Sequence, residues 1–161
     1  MTPEEFRKEI TEFVDISSKL HDSWELKIVK NKLDEEIPYL LKRGTKVSFG
    51  SGILCMEFHV TYHPSFCVPV LGFDAFTNDG SSLSYEEIWS LLKIEEKPRD
   101  LFSVLTQMDH PGLFRPIWTL HPCRTSEILK GVTGNRIIAF LSAIGPSIGL
   151  QLDLSYGLKH S

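Results

Sequence analysis

Apolar and polar side chains alternate most clearly along residues 53–63. Leu54, Met56, Phe58, Val60 and Tyr62 make one set, and Cys55, Glu57, His59, Thr61 and His63 make the other. A period of two with one apolar face predicts a half-buried antiparallel strand, with His59 and its set facing solvent. Pro64-Ser65 predicts a turn into a second strand over 67–73, and Asn78-Asp79-Gly80 predicts the turn that ends it.

A helical period opens the chain. Thr2 and Pro3 followed by two acids predict a helix start, and apolar residues then recur at helical spacing to Leu20. The opposite face is acidic, carrying Glu5, Glu9, Glu12 and Asp15. Helices that lie on membranes tend to be rich in Lys and Arg, so this helix is expected to pack on a sheet.

The remaining pattern predicts further short elements. Before residue 100 they are a strand over 24–30, a short extended piece over 39–42 between Pro38 and Gly44, a helix that the Ser84–Glu87 capping box opens and that carries Ile88, Leu91 and Leu92, and a loop over 97–100. Extended segments follow over 102–107 and 116–120, with a turn at 110–112 between them. Helical segments are predicted at 128–129 and 136–144, the second ending at Gly145-Pro146, and an extended tail runs through Ile148, Leu150, Leu152 and Leu154. This order predicts a single α+β domain over residues 1–161, an antiparallel β-meander with flanking helices.

Composition narrows the classes of partner and compartment. The chain has 161 residues and a net charge of −4, which argues against nucleic acid as the main partner. Its three cysteines, Cys55, Cys67 and Cys123, are an odd and widely spaced set that makes a poor disulfide framework. No apolar run reaches the roughly 20 residues that span a bilayer, so we expect a cytoplasmic protein with free thiols and no stable membrane insertion.

Cys123 is the strongest candidate for a reactive group. It follows a proline in a strand-to-helix connection, where rigid scaffolds present functional groups, and it precedes a helical segment. A helix N-terminus and the neighbouring Arg124 both favour the thiolate form of a cysteine. A structural thiol remains the alternative from composition alone, because free cysteine is commonly buried.

Two other chemistries receive little support. His59, His63 and Cys67 resemble a metal-binding trio, but two histidines four residues apart on a strand are separated by about 13 Å, too far for one ion. A cysteine peptidase would need a histidine held beside Cys123, for which the sequence offers His110 and His121. Neither a metal nor another cofactor is expected.

Several short motifs together resemble one family. They are Tyr62 followed by Val68-Pro69-Val70-Leu71, then Thr106-Gln107-Met108-Asp109-His110-Pro111, Leu120-His121-Pro122-Cys123, Gly145-Pro146-Ser147-Ile148-Gly149-Leu150, and Leu154-Ser155-Tyr156. Their order and spacing are similar to the autophagy-related protein ten family of ubiquitin-like-conjugating enzymes. The resemblance implies a ubiquitin-conjugating-enzyme-like fold with Cys123 as the catalytic residue.

The resemblance also implies a reaction and its partners. Cys123 would receive a ubiquitin-like modifier, autophagy-related protein twelve, from its activating enzyme, autophagy-related protein seven. It would carry the modifier as a thioester and pass it to a lysine of autophagy-related protein five. The alternative is a catalytically inactive binding module of the same fold, and inactive variants typically lack the cysteine.

One departure concerns the oxyanion. Ordinary ubiquitin-conjugating enzymes place His-Pro-Asn before the cysteine, and the asparagine is thought to support the oxyanion. This chain has His110-Pro111-Gly112, with glycine where that amide is expected. We hypothesise that Tyr62 or Asn78 takes part of this role and that His121 shapes the loop around Cys123. A core role for Tyr62, with its hydroxyl bonded locally, is the alternative.

Overall fold

The computed structural model describes residues 1–49, 52–91 and 105–158, and it contains ten helices and strands within them. They are α1 (Pro3–Leu20), β1 (Trp24–Lys30), β2 (Glu36–Phe49), β3 (Gly52–His63), β4 (Val68–Phe76), α2 (Tyr85–Leu91), β5 (Leu105–Asp109), β6 (Pro116–Leu120), α3 (Thr125–Ile128) and α4 (Arg136–Ile144). Single 3₁₀ turns occupy Pro122–Arg124, Gly145–Ile148 and Leu154–Gly157. The predictions for Leu92, the loop over 97–100 and residues 102–104 lie outside the described residues.

All six strands form one antiparallel sheet in the order β1-β2-β3-β4-β6-β5. The first four strands are a meander, and β6 pairs with β4 while β5 takes the edge. This arrangement confirms the predicted α+β class. It also brings the end of β6, and so the chain entering Cys123, beside the beginning of β4.

The core lies between one face of the sheet and the helices. Its largest fully buried side chains include Phe6, Ile10 and Phe13 of α1, Phe58 and Phe73 of the sheet, and Ile137, Phe140 and Leu141 of α4. Glu9 of α1 accepts hydrogen bonds from Arg136 at the start of α4, each 2.7 Å long. This pair fixes α4 to α1. The apolar face of α1 therefore packs into the protein's own core, as we expected because its polar face is acidic.

Strand β2 is longer than the predicted piece over 39–42. Pro38 is opposite Ile28 of β1 and lies beyond Leu40, the first residue of β2 that pairs with β3. Its missing N–H is tolerated there because only one neighbouring strand is present. Gly44, with φ of 69°, occupies a register shift between Lys42 and Thr45, where a left-handed residue lets the strand continue past a bulge.

The prediction of an extended C-terminal tail is wrong. Ile148 and Leu150 are buried, but they belong to a compact turn in which the Leu150 amide donates to the Gly145 carbonyl over 3.0 Å. The chain reverses at Gly149, whose φ is 80°. Leu154 begins another 3₁₀ turn and is 93% exposed. The alternation of apolar residues therefore reflects successive turns over the core, with no strand pairing in this segment.

The prediction that His59 faces solvent is also wrong, since only 1% of this residue is exposed. The rings of Tyr39 and His110 pack against it, and the ring centroids of His59 and His110 are 5.0 Å apart. The cause is the β5–β6 turn, which folds over this face of the sheet. Side chains of this turn and of Tyr39 therefore cover the central part of the β3 face that carries His59, which the alternating pattern predicts to face solvent.

Gly112 closes that turn against Tyr39. A Cβ at this position would lie 2.8 Å from Val29 Cγ2 and 3.0 Å from the Tyr39 ring. We therefore expect Gly112→Ala to lower the free energy of unfolding by about 1–3 kcal/mol, measured by urea denaturation. Gly157→Ala is the matched control, because a Cβ at Gly157 would meet nothing within 4 Å. Equal stability of the two variants would contradict this packing.

Among the described residues, no helix is both long enough and apolar enough to cross a membrane.

Candidate active site

Cys123 lies at the exposed end of the sheet where β6 stops. Thr119 of β6 is opposite Gly72 of β4, so the next residues along β6 run toward the start of β4. The 3₁₀ turn Pro122–Arg124 follows, with Pro122 buried and Cys123 exposed. A rigid strand and a buried proline thus hold an accessible thiol at the surface.

His121 fixes the backbone of this turn. Its Nδ1 accepts a hydrogen bond from the Cys123 N–H over 3.2 Å, so the imidazole caps the turn in the manner of an N-cap side chain. The His121 ring also packs edge-on against Phe66, with centroids 5.6 Å apart. Phe66 in turn contacts His63, at 4.9 Å. The β3–β4 turn therefore supports one side of the cysteine loop.

A cleft of about 300 Å³ opens on the other side of Cys123. Its walls come from the segment that carries the cysteine and from the end of α4 with the turn after it: Leu120, His121, Cys123, Arg124, Thr125, Glu127, Ile128, Ala143, Ile144 and Ser147. Most of the lining surface is apolar. Sequence reasoning missed this cleft, because its two walls are about twenty residues apart in the chain and meet only through packing.

Tyr62 lies at the same end of the sheet as Cys123. It is opposite Pro69 at the start of β4, and its ring packs on Phe6 of α1. Its hydroxyl donates to the carbonyl of Met1 over 2.9 Å. Burial, followed by the contact with Cys67, raises the pKa of Tyr62 to about 12. The phenol therefore remains a hydrogen-bond donor at neutral pH, and its present acceptor is the backbone of Met1.

Asn78 lies at the other end of the sheet. Strand β4 runs away from Cys123, because it is antiparallel to β6. Phe76 ends β4 about 13 Å beyond Gly72, and Asn78 follows it in an exposed turn. The structure thus places Tyr62 and His121 at the end of the sheet that holds Cys123 and does not bring Asn78 there.

His110-Pro111-Gly112 also lies away from Cys123. Asp109 is opposite Pro116, so the turn begins about 13 Å down the hairpin from Leu120. The Nδ1 atom of His110 accepts hydrogen bonds from the Gly112 and Leu113 amides, both at 3.0 Å, and the residue is 1% exposed. The His110-Pro111-Gly112 motif, which has glycine where ordinary ubiquitin-conjugating enzymes have the asparagine, therefore forms a structural turn away from Cys123.

The same geometry bears on the peptidase alternative. His110 is buried at the distant end of the hairpin, and the Nδ1 of His121 is engaged by the backbone N–H of Cys123. Neither of the two histidines proposed from the sequence is thus arranged as a base held by a third group.

One group of side chains has the donor types of a metal site. One donor atom from each of Glu57, His59 and Asp74 lies within 4.8 Å of the others. Arg115 already binds both carboxylate oxygens of Asp74, at 3.2 and 2.5 Å, and Arg43 approaches Glu57 at 3.9 Å. The arginines balance the two carboxylates, so we assign no metal to this group.

All three cysteines are free thiols in the structure. Cys55 is half-buried, whereas Cys67 and Cys123 are both exposed. Accessibility alone therefore does not separate Cys67 from Cys123. Their surroundings do: the Cys67 thiol donates to the Pro64 carbonyl over 3.2 Å, whereas Cys123 adjoins the apolar cleft.

Comparisons with known proteins place this chain among described relatives. The family described as autophagocytosis associated protein, active-site domain, matches residues 50–155, which include Cys123. The human ubiquitin-like-conjugating enzyme ATG10 is 30% identical, over 94% of this chain and 90% of the human protein. ATG10 of Dictyostelium discoideum is 28% identical, over 62% of this chain and 53% of that protein.

Two solved structures share the fold. A crystal structure of the autophagic E2 Atg10 superposes with a TM-score of 0.62 at 19% identity, covering 92% of this chain and 97% of the other. A solution structure of KmAtg10 gives a TM-score of 0.51 at 15% identity, with 92% and 95% covered. The six-stranded sheet and its flanking helices are thus those of an E2-like fold.

Proposed function

Since the chain belongs to the autophagocytosis-associated active-site family and is an ATG10-type ubiquitin-like-conjugating enzyme of autophagy, we propose that Cys123 carries a ubiquitin-like modifier as a thioester. The observation that carries this proposal is the placement of Cys123. It is an exposed thiol in a capped turn, it lies within the family's active-site domain, and it adjoins a cleft. Acyl transfer through a covalent intermediate requires such an accessible nucleophile.

The reaction has two steps. The Cys123 thiolate attacks the carbonyl carbon of the modifier's thioester on the activating enzyme; a new C–S bond forms, and the activating enzyme's thiolate leaves. A lysine amine of the acceptor then attacks the same carbonyl, so that a C–N bond forms and the C–S bond breaks. The amine gives up a proton, and the Cys123 thiol is regenerated. Neither step changes an oxidation state or needs a cofactor.

We propose autophagy-related protein twelve as the modifier, autophagy-related protein seven as the activating enzyme and autophagy-related protein five as the acceptor. The motifs that resemble the autophagy-related protein ten family support these partners, and the relatives of this chain are of the ATG10 type. We place the reaction in the cytoplasm, because a thiol carrier must remain reduced.

A charging assay tests this function. The protein is mixed with activating enzyme, ATP and modifier and is run on a non-reducing gel. The expected product migrates at the combined mass and collapses with thiol reductant. Adding the acceptor should convert the product into a reductant-stable modifier–acceptor conjugate. An uncharged protein beside a demonstrably charged activating enzyme would contradict the proposal and favour the inactive binding module.

The oxyanion of each step needs a hydrogen-bond donor. Tyr62 is the candidate that shares the Cys123 end of the sheet, and its hydroxyl would have to release Met1 to reach the reacting carbonyl. We expect Tyr62→Phe to slow discharge onto the acceptor by about tenfold or more and Asn78→Ala to leave the rate unchanged. Single-turnover discharge of the charged enzyme measures both.

Tyr62→Phe also removes the hydrogen bond to Met1, so its thermal stability is measured in parallel. A rate loss at unchanged stability supports the catalytic role. Full rates of aminolysis in both variants would show that neither residue supports the oxyanion and that Tyr62 serves only the core.

A further inference from the structure

We infer that the cleft between Cys123 and the end of α4 receives the side chain of the acceptor lysine, an inference that rests on the function proposed above. Cys123 lines this cleft together with Ile128 of α3 and Ile144 of α4. An amine that attacks an acyl group on Cys123 must approach along a path that ends at this sulfur. The cleft is one such path.

The size of the cleft fits a single side chain. Its volume of about 300 Å³ is at the lower end of the range for small-molecule sites. Ala143 on one wall is small and leaves the space open, while Ile128 and Ile144 supply apolar surface. A folded segment of a partner would not enter such a space, whereas one extended aliphatic chain would.

The chemistry of the walls favours a lysine over the modifier's C-terminal tail. An extended peptide carries an N–H and a C=O at each residue, and these groups need partners when they are buried. The cleft is mostly apolar, and the Ser147 hydroxyl on its wall already donates to the Ile144 carbonyl over 2.7 Å. A lysine side chain has only methylene groups between its backbone and its amine. Such a stem can pack against the apolar walls without leaving polar groups unpaired.

The rim of the cleft carries a carboxylate. Glu127 is exposed and lies 3.8 Å from Arg124, which also lines the cleft, so the two charges balance and the entrance does not repel a lysine ammonium arriving from water. Packing against the apolar walls would disfavour the charged form of the amine and so lower the pKa of the amine. This matters because a free lysine, with a pKa of about 10.4, is neutral in only about one molecule in 2,500 at pH 7. The cleft would therefore guide the lysine toward Cys123 and favour the neutral form of its amine.

Filling the cleft tests the inference. In Ala143→Leu, a good helix former places extra methyl groups into the space beside Cys123. We expect charging with the modifier to stay within about twofold of wild type and single-turnover discharge onto the acceptor and onto free lysine to fall by about tenfold or more. Hydroxylamine, a small nucleophile without an aliphatic stem, should discharge the variant at the wild-type rate.

Ser142→Leu is the matched control. Ser142 precedes Ala143 in the same helix, is also exposed, and lines a different cavity, beside Pro146 and Leu152. Its charging and its discharge to lysine should both equal wild type. A selective loss of lysine discharge in Ala143→Leu, absent from Ser142→Leu, supports the cleft as the lysine path.

Two outcomes would overturn the inference. If Ala143→Leu discharges to lysine at the wild-type rate, the lysine does not use the cleft. If the variant keeps wild-type thermal stability but fails to charge, the cleft belongs to the modifier's path. Failure of the proposed function is distinguishable from both, because the wild-type protein itself would then take up no modifier from a charged activating enzyme.

Discussion

Cys123→Ser should accumulate a modifier-linked product that survives thiol reductant, and Cys123→Ala should form none. A serine hydroxyl attacks the same carbonyl as the thiol, but it forms an oxygen ester, which reductant does not cleave. Alanine has no nucleophile. We expect both variants to lose conjugate formation by about a thousandfold or more, because the carried intermediate is absent in one and a poorer acyl donor in the other. Non-reducing and reducing gels of the charging reaction, with timed acceptor conjugation, measure this.

Cys67→Ser is the control that makes the assignment specific. Cys67 is the other exposed thiol, and a serine there can keep the hydrogen bond to the Pro64 carbonyl. Its charging should equal that of wild type and should remain sensitive to reductant. Loss of the charged product in Cys67→Ser, with retention in Cys123→Ala, would move the carrier role to Cys67.

The second large effect is a loss of stability in mild acid. Burial is the main cause that lowers the pKa of His59 and of His110 to about 4 each. Among the described residues, neither ring nitrogen of His59 has a hydrogen-bond partner, and Asp74 lies 3.8 Å from it. Arg115 and Arg43 oppose a positive charge there. Both imidazoles are therefore neutral in the fold at pH 7.

The sign of the pH dependence follows from these values. A histidine in the unfolded chain has a pKa of about 6.5, so the unfolded state gains protons before the folded state does as pH falls. Stability is complete above pH 6.5 and is lost progressively down to pH 4. For the pair, we expect a loss of roughly 4 kcal/mol between pH 8 and pH 5. Urea unfolding at half-unit pH steps measures it.

His59→Phe separates the two contributions. The phenyl ring has a similar shape and can keep the packing on Tyr39 and His110, while one titrating group is removed. The loss of stability between pH 8 and pH 5 should fall to about half of its wild-type value. An unchanged pH dependence would mean that His59 does not govern acid unfolding.

Much of the secondary structure was readable from the chain because local signals were strong. The bounds of β1, β6 and α4 agree with the predicted segments, and the Ser84–Glu87 capping box forms as expected, through bonds of 2.7 and 3.3 Å. These elements have a clear period or a cap whose partners lie within a few residues. Strand β2 was underestimated, because the local effects of Pro38 and Gly44 are overridden by pairing with two neighbouring strands.

The face of a strand was less predictable than its existence. The period of two indicated which face of β3 meets the helices, since Met56 and Phe58 are fully buried in the core. It could not indicate that His59, on the other face, is buried as well. That burial depends on the β5–β6 turn, about fifty residues later in the chain, and on Tyr39.

The sequence by itself determined the class of fold, the family and the cysteine at the centre of the proposed chemistry, because each depends on short-range patterns or motifs. Only the tertiary structure decided which residues share the surroundings of Cys123. Strand pairing and register bring Tyr62 to its end of the sheet and carry Asn78 and the turn around Gly112 away from it. Helix packing creates the cleft between Cys123 and Ala143. These neighbours are distant in sequence, so their proximity follows from burial of a common core and cannot be read from local pattern.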